Sequence, residues 1–450
     1  MKQIISAKLK LKTSPQQFQA LRQTQLAYRD ALNAVSAYAF AHGKTSSNLT
    51  LHRGMYAQLR TTYRLPSQLA CSVERQVAAT YKGLWTKVKK NAEERKAGLT
   101  KKRYKGLDQA PSYVSPTMQY TYERDYTFKS EQQVSLTTLE GRLTLSYQGY
   151  YPHVGLIQHG AGIGDAKLWY DRPKKHFYLL VSLEIDKPDP TFESHNDVMG
   201  VDVGIRYLAV TSTSTGKTSF HTGKRVRHQA NHYARLRKRL QQKGTRWAKR
   251  RLGRIAQRER RFKQQANHCI AKHIVTTHPQ ALIGLEQLSD IGDRTKRRKR
   301  RRKKNGKGTE PVSPKARKSN RVYSQWSFAE LQSMIAYKAL LAGSMAIKVD
   351  ANSTSKSCPK CGYSSDKNRP HKGLLFHCQN CHYELHADLV GARNLTMRTL
   401  LLRQDWGKTG LLSVAPDASD KEAKAARLQR YAELRWSSDA SPSHSRGRGD

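Results

Sequence analysis

VMGVDVGIRYLAVTS, residues 198–212, decides how the chain is read, because a carboxylate interrupts an apolar run. The pattern predicts a buried strand with Asp202 in its middle, between Val201 and Val203. An isolated buried carboxylate is costly unless it is paired, hydrogen-bonded or bound to metal. Gly200 and Gly204 flank it at two-residue spacing, so on a strand they share its face. With no side chains there, a ligand or another backbone can approach closely. The plainer reading is a strand-end Asp that caps a turn, and the rest of the chain has to choose.

Outward from this stretch, 450 residues allow roughly two to four domains with cores of their own. The 82 Lys and Arg outnumber 34 Asp and Glu, for a net charge of +48. Such a field disfavours compaction unless a polyanion neutralises it, and it draws nucleic acid to the surface. No stretch approaches ~18 consecutive apolar residues, and MKQIISAKLKLK shows neither an apolar signal region nor a cleavage site. These features point away from a membrane and toward a soluble cytoplasmic protein that lives on DNA, RNA or both.

QIISAKLKLK alternates as a strand, and Ser14-Pro15 then reads as a helix cap with Pro at the first helical position. Phe18, Leu21, Tyr28, Leu32 and Val35 recur at helical spacing, and residues 65–97 continue the pattern. From about 110 to 187 the period changes to two. One sheet built from the first strand and this segment, with helices inserted, is the expected arrangement. Aromatic and basic residues interleave in YTYERDYTF (120–128) and WYDRPKKHFY (169–178), a pattern that suits nucleic-acid contacts and sheet cores alike. Residues 227–243 and 246–277 form a basic helical pair broken near Gly244, with few acids, which suggests a phosphate-facing surface. RTKRRKRRRKK (294–304) reads as a loop contacting phosphates, and the Ser-, Asp- and Ala-rich chain after 406 as a disordered tail with one short helical stretch.

The strongest local signal is Cys358-Pro-Lys-Cys361 followed, after sixteen residues, by Cys378-Gln-Asn-Cys381. Two such knuckles supply the four soft ligands of a tetrahedral, closed and therefore structural zinc site. His371, His377, His382 and His386 are then unnecessary as ligands and read as surface residues. Cys71 and Cys269 stand alone in helical contexts and read as small core residues.

Two further acids stand where acids are out of place. Glu286 ends the apolar strand ALIGLE, and Asp388 opens the helix ADLVGARNLTM with Gly391, Ala392 and Leu395 on its face. Taken singly, each is an exposed strand end and a helix N-terminal Asp favoured by the dipole. Taken with Asp202, they follow the order in which a ribonuclease-H-like sheet assembles a metal site.

At these residues the chain resembles a family. GVDVGIRYLAV, IGLEQLSDI and HADLVGARNL look like the three RuvC nuclease motifs of the TnpB family, transposon-encoded proteins related to the type V CRISPR effectors. QWSFAELQSMIAYKA and VDANSTSKSCPKC resemble the lines that the family carries between its second and third motifs. The likeness runs from about 198 to 404; before that only the layout fits. HAD replaces the DRD of many members, with Asp388 at the catalytic position and His386 at the replaced acid.

The resemblance implies a multidomain α+β chain. Residues 1–13 and 107–190 would form a β-barrel-like wedge domain, with a helical recognition lobe at 14–106 inserted. Residues 191–349 and 386–405 would form an RNase H-like (RuvC) α/β nuclease domain holding a zinc ribbon at 350–385, with a tail at 406–450. Asp202, Glu286 and Asp388 would be catalytic, holding two Mg²⁺ or Mn²⁺ ions, since hard oxygen ligands favour these over zinc. Arg235, Arg239, Lys243, Arg246, Lys249 and Arg250 are candidates for nucleic-acid backbone contacts. The basic run 294–304 would lie near the cleft mouth. The implied activity is RNA-guided cleavage of DNA beside a short motif, with a guide RNA from the transposon end and double- and single-stranded target DNA as partners. It would take place in a prokaryotic cytoplasm, on the nucleoid. Monomer and dimer on the RNA both stay open. The rival readings are a compact type V CRISPR effector, a nuclease-inactive RNA-guided repressor, and a plain zinc-ribbon DNA-binding regulator.

Overall fold

The computed structural model describes residues 2–172, 174–186, 191–195, 197–288, 300–302, 309–314, 316–317, 326–370, 373–410, 412 and 421–436. They divide into two units, residues 1–188 with 298–312, and residues 189–297 with 313–450. Among the described residues no helix is long and apolar enough to cross a membrane.

The first unit is built on Lys2–Leu11 (β1), whose alternation buries Ile5, Ala7, Leu9 and Leu11. The other strands are Met118–Tyr120 (β2), Tyr126–Lys129 (β3), Gln133–Thr138 (β4), Gly141–Gln148 (β5), Gly162–Asp171 (β6) and His176–Asp186 (β7). They pair antiparallel in the order β2-β6-β7-β1-β5-β4-β3. Because β1 sits between β7 and β5, the helices that follow it are an insertion into one sheet. These are Pro15–Ala41 (α1), Asn48–Thr61 (α2) and Ser67–Lys96 (α3); Tyr151–Gln158 (α4) comes later. Ser14 and Gln17 close a capping box on α1, and Tyr28, Leu32 and Val35 turn its apolar face inward. Each such buried side chain contributes about 1.5–3 kcal/mol.

Of the interleaved aromatics, Tyr120, Tyr126 and Phe177 are core residues and not contact residues. Tyr120 donates to the Thr137 carbonyl at 2.9 Å and Tyr126 to that of Gly164, so each hydroxyl is satisfied inside the sheet. Trp169 and Tyr178 stay half-buried, stacked at 5.4 Å with Lys8 over both rings. Of the basic run 294–304, Arg300–Arg302 (β12) pairs with Thr309–Pro311 (β13); residues 294–299, 303 and 304 lie outside the described residues.

The second unit is three layers. Its sheet comprises Asp197–Asp202 (β8), Tyr207–Thr213 (β9), Thr218–Thr222 (β10), Ala281–Glu286 (β11) and Met345–Val349 (β14), in the order β10-β9-β8-β11-β14. β10, β9 and β8 run antiparallel, whereas β11 is parallel to both β8 and β14. Helices Lys224–Lys243 (α5), Arg246–Thr277 (α6), Phe328–Leu341 (α7), Ala387–Thr409 (α8) and Lys421–Glu433 (α9) complete it. Met199, Val201, Ile283 and Leu285 pack against the end of α6 and against α7. On the opposite face Val198, Leu282, Ile347 and Val349 meet Leu395 and Leu402 of α8. Burial on both faces is why these strands read as continuous apolar runs.

The opening stretch is corrected in one respect. Residues 198–212 are not one strand but a hairpin, β8 and β9 joined through residues 203–206, so Asp202 ends β8 instead of lying mid-strand. Fifteen residues exceed a typical strand of about 5–6, and Gly204 breaks the run. Gly200 does admit a close neighbour, and it is backbone: a Cβ there would stand 2.8 Å from the Leu395 carbonyl carbon of α8. The Gly200 amide donates to Thr396 Oγ1 at 3.0 Å, and that hydroxyl donates to the Ser212 carbonyl at 2.7 Å.

The tail expected after 406 is corrected only in part, since its one short helical stretch is present as α9. Helix α8 continues to Thr409, and α9 returns along it. Arg430 makes a two-pronged ion pair with Asp405 at 2.8 and 2.9 Å, and the Arg398 guanidinium lies 4.3 Å over the buried Tyr431 ring. Tyr431 and Trp436 find cations on α8 to stack on, Trp436 beneath Arg393, which a reading by composition does not register. Residues 437–450 lie outside the described residues.

Candidate active site

Parallel neighbours β8 and β11 end side by side, with Leu285 opposite Val201, so Asp202 and Glu286 emerge at the same edge. Helix α8 begins at that edge and carries Asp388 in its first turn. His386 is its N-cap, its Nδ1 accepting from the Asp388 amide at 3.3 Å. This corrects the reading of His386 as a surface residue: its ring packs against Tyr207 and Phe220, because a helix start needs an acceptor there. His371 lies outside the described residues, and His377 pairs with Glu384 at 2.9 Å.

Asp202, Glu286 and Asp388 line one cleft of about 400 Å³ at the carboxyl ends of the parallel strands. Arg206, Arg369, Ser355, Leu288 and Phe328 share its wall. Burial, then the charges of Glu286 and Asp388, push the Asp202 carboxyl well above the usual range, and Arg369 opposes them. Acids so arranged cannot all ionise unless a cation joins them. Glu286 is anchored through its main chain, whose carbonyl accepts from Gln332 Nε2 at 2.8 Å.

Arg369 is the residue that sequence reasoning missed. It lies between the two CxxC knuckles, half-buried, and its Nε is buried without a hydrogen-bond partner among the described residues. An unpaired buried guanidinium nitrogen is poised for an anion. No spacing rule flags one Arg among 82 basic residues.

The four cysteines come together as their spacing predicts. Sγ of Cys358 lies 3.7 Å from that of Cys381, Cys361 and Cys378 are 3.5 Å apart, and all four fall within 4.8 Å of one another. Tetrahedral bonds of ~2.3 Å require separations of about 3.8 Å, so a soft cation such as zinc fits without rearrangement. Leu375–His377 (β15) and Glu384–His386 (β16) form the second knuckle's hairpin. Gly362 and His382 occupy equivalent left-handed positions after each knuckle, at φ 76° and 54°.

Arg235, Arg239, Lys243, Arg246, Lys249 and Arg250 are all exposed along α5 and the start of α6. Buried Glu259 pins the pair by accepting from Arg237 and Lys263.

With this geometry in view, two family models match. Residues 180–290 fit OrfB_IS605, described as "Probable transposase", and residues 328–395 fit the "Cas12f1-like, TNB domain". The chain is a relative of the TnpB and Cas12f1 proteins. It is 26% identical over 248 residues to the CRISPR-associated endodeoxyribonuclease Cas12f1 of Sulfoacidibacillus thermotolerans, covering 52% of this chain and 53% of that protein. It is 36% identical over 84 residues to a TnpB-like protein of Methanocaldococcus jannaschii, 19% of this chain and 29% of the other. This TnpB relative thus spans about half the length of the first curated protein it matches, and less of the second. In fold it is similar to CasPhi-2 (Cas12j) bound to crRNA, with a TM-score of 0.50 at 11% identity, covering 88% of this chain and 98% of that one.

Proposed function

We propose that this TnpB relative is an RNA-guided DNA endonuclease associated with a transposable element, and that its second unit is an RNase H-like, RuvC-type nuclease with an inserted zinc ribbon. One observation carries the reading: acids from β8, β11 and α8 meet in a single cleft beside a half-buried arginine. Asp202, Glu286 and Asp388 would hold two Mg²⁺ or Mn²⁺ ions, since hard carboxylate oxygens favour such ions. When bound, such ions supply an activated water and a counter-charge for the leaving oxygen of a phosphodiester. The protein's own work is positioning. Arg369 and Arg206 meet the phosphate, while Phe328 and Leu288 give the cleft an apolar wall against the sugar and base. The six exposed cations of α5 and α6 track nucleic-acid backbone, the four cysteines hold a structural zinc, and the first unit acts as wedge domain and helical recognition lobe for a guide RNA.

The test is to purify the full chain co-expressed with its own locus, sequence the RNA that accompanies it, and assay cleavage of matched DNA with Mg²⁺. Asp202→Asn, Glu286→Gln and Asp388→Asn are each expected to lower cleavage by at least about 10³-fold while RNA and target binding hold. Any one of them cutting at the normal rate sinks the assignment.

The matches to Cas12f1 favour a second reading, a compact type V CRISPR effector built on the same residues. A repeat array beside the reading frame, in place of a transposon end, selects it.

A further inference from the structure

One more group of metal-ligating side chains converges, and it belongs to the first unit. His52 on α2 with Cys71 and Glu74 on α3 brings an imidazole nitrogen, a sulfur and a carboxylate oxygen within 4.8 Å of one another. Cys71 and Glu74 share a face of α3 because they are three residues apart. The short connection through residues 62–66 folds α2 back so that His52 faces them. Buried Leu51, Leu59, Leu69 and Val73 belong to the core that fixes the two helices.

Glu74 is the member that needs explaining. It is 0% exposed, with one oxygen, Oε2, 2.7 Å from His52 Nδ1. The other, Oε1, is buried with no hydrogen-bond partner among the described residues. A bare carboxylate oxygen inside a helical core is costly unless something positive meets it. Burial pushes Glu74 above the usual carboxylate range, and His52 offsets part of that. The Cys71 thiol is pushed up too, by burial first and then by Glu74. The Arg75 charge offsets only part of this for either group.

We propose that His52, Cys71 and Glu74 form a second transition-metal site, taking a zinc-like divalent ion that staples α2 to α3. One nitrogen, one sulfur and one oxygen are a borderline donor set, which selects Zn²⁺ or Co²⁺ over Mg²⁺ or Ca²⁺. Tetrahedral bonds of ~2.0–2.3 Å put ligand atoms roughly 3.3–3.8 Å apart, within reach of small side-chain rotations. The His52 side chain is 42% exposed, so an ion has a way in. Binding releases the Cys71 proton and gives Glu74 Oε1 the partner it lacks. Three protein ligands leave a fourth position for water, unlike the closed four-cysteine site.

Metal content of the full chain tests this. Wild-type protein, purified without chelator, is expected to hold two zinc ions per chain by mass spectrometry. Cys71→Ser and Glu74→Gln should each hold one, and Cys378→Ser should also hold one, the helical site's. Reconstitution with Co²⁺ separates the two: Cys378→Ser keeps a weak single-thiolate charge-transfer band that the Cys71→Ser, Cys378→Ser double variant loses. If Cys71→Ser does not fold, Glu74→Gln, which keeps shape and loses charge, carries the same comparison, with circular dichroism as its folding check. A wild-type chain with one zinc that takes up no further Co²⁺ overturns the proposal. So does a second zinc that survives both substitutions.

Discussion

The Asp202 carboxyl rests against Gly391: a Cβ built at 391 would stand 3.0 Å from Asp202 Cγ and 3.1 and 3.3 Å from its two oxygens. The helix that delivers Asp388 therefore also forms a wall of the Asp202 pocket, one turn further on. Separations this short are tighter than ordinary contact, so a methyl at 391 must displace the carboxylate by a few tenths of an ångström. Misplacement of about 1 Å at a reacting centre can cost about 100-fold. Gly391→Ala is thus expected to slow cleavage by about 10-fold or more while RNA and DNA affinity hold. Cleavage at the normal rate, measured in single-turnover assays with Mg²⁺, would show that Asp202 does not depend on this wall.

Gly200 makes a harsher demand. Its missing side chain is where the α8 backbone crosses β8, and a Cβ would run into the Ala392 carbonyl oxygen and the Thr396 amide. Backbone cannot rotate aside as a side chain can. Gly200→Ala should destabilise the second unit by about 1–3 kcal/mol or more, the usual cost of overpacking. The loss should show as a lower unfolding midpoint in that unit, with the first unit's midpoint unchanged. An unaltered midpoint would mean that α8 can lift off the sheet at little cost.

These glycines show what was legible in the sequence and what was not. Gly200 announced a close approach but not whether ligand or backbone would make it, because residues 195 apart in the chain decide that. The four cysteines were readable to the residue, since knuckle spacing alone fixes their geometry. The three acids were found by being out of place in apolar surroundings. The hairpin break after Asp202 went unread because Gly204, which makes it, also reads as room for a ligand while Val203 and Ile205 continue the apolar run. Arg369 was hidden among basic residues, and the docking of α9 on α8, though not the helix itself, was hidden because stacking of Arg393 on Trp436 and Arg398 on Tyr431 joins residues that no local pattern links. Tyr120 and Tyr126 read two ways because an aromatic's hydroxyl can serve a ligand or a carbonyl in its own sheet, and sequence does not say which.

The cysteine site reaches the acid cleft through packing. Cys358, Cys378 and Phe376 share a small core with Ala387 and Val390, the residues flanking Asp388 and its turn. The Ala387 amide also donates to the Leu374 carbonyl at 2.6 Å. Removing the metal should therefore loosen the start of α8 and displace Asp388, though no catalytic ligand is touched. Cys378→Ser, or treatment with a chelator strong enough for zinc, is expected to raise hydrogen exchange across 358–390 and to suppress cleavage even with Mg²⁺ restored. Full activity and unchanged exchange after verified zinc loss would refute the link.

His221 on β10 gives the second unit a sensitivity to acid. Burial, and then His273 with its ring 5.1 Å away, push the imidazole down to about 4. Its Nε2 is buried with no hydrogen-bond partner among the described residues. In the unfolded chain a histidine titrates near 6.5. Between about 6.5 and 4 the unfolded state therefore binds a proton that the folded state refuses, and stability falls as pH is lowered through that window. The loss should be on the order of 1–3 kcal/mol, reduced by the ring's partial exposure. Asp202 acts with the opposite sign: its folded-state carboxyl titrates above its unfolded value, so its contribution weakens as pH rises. Comparing wild type with His221→Phe cancels Asp202 and every other shared group. The variant is expected to lose less melting temperature between pH 7 and pH 4.5 than the wild type does. Parallel curves across that range would show that His221 takes up its proton in the folded protein as readily as in the unfolded one.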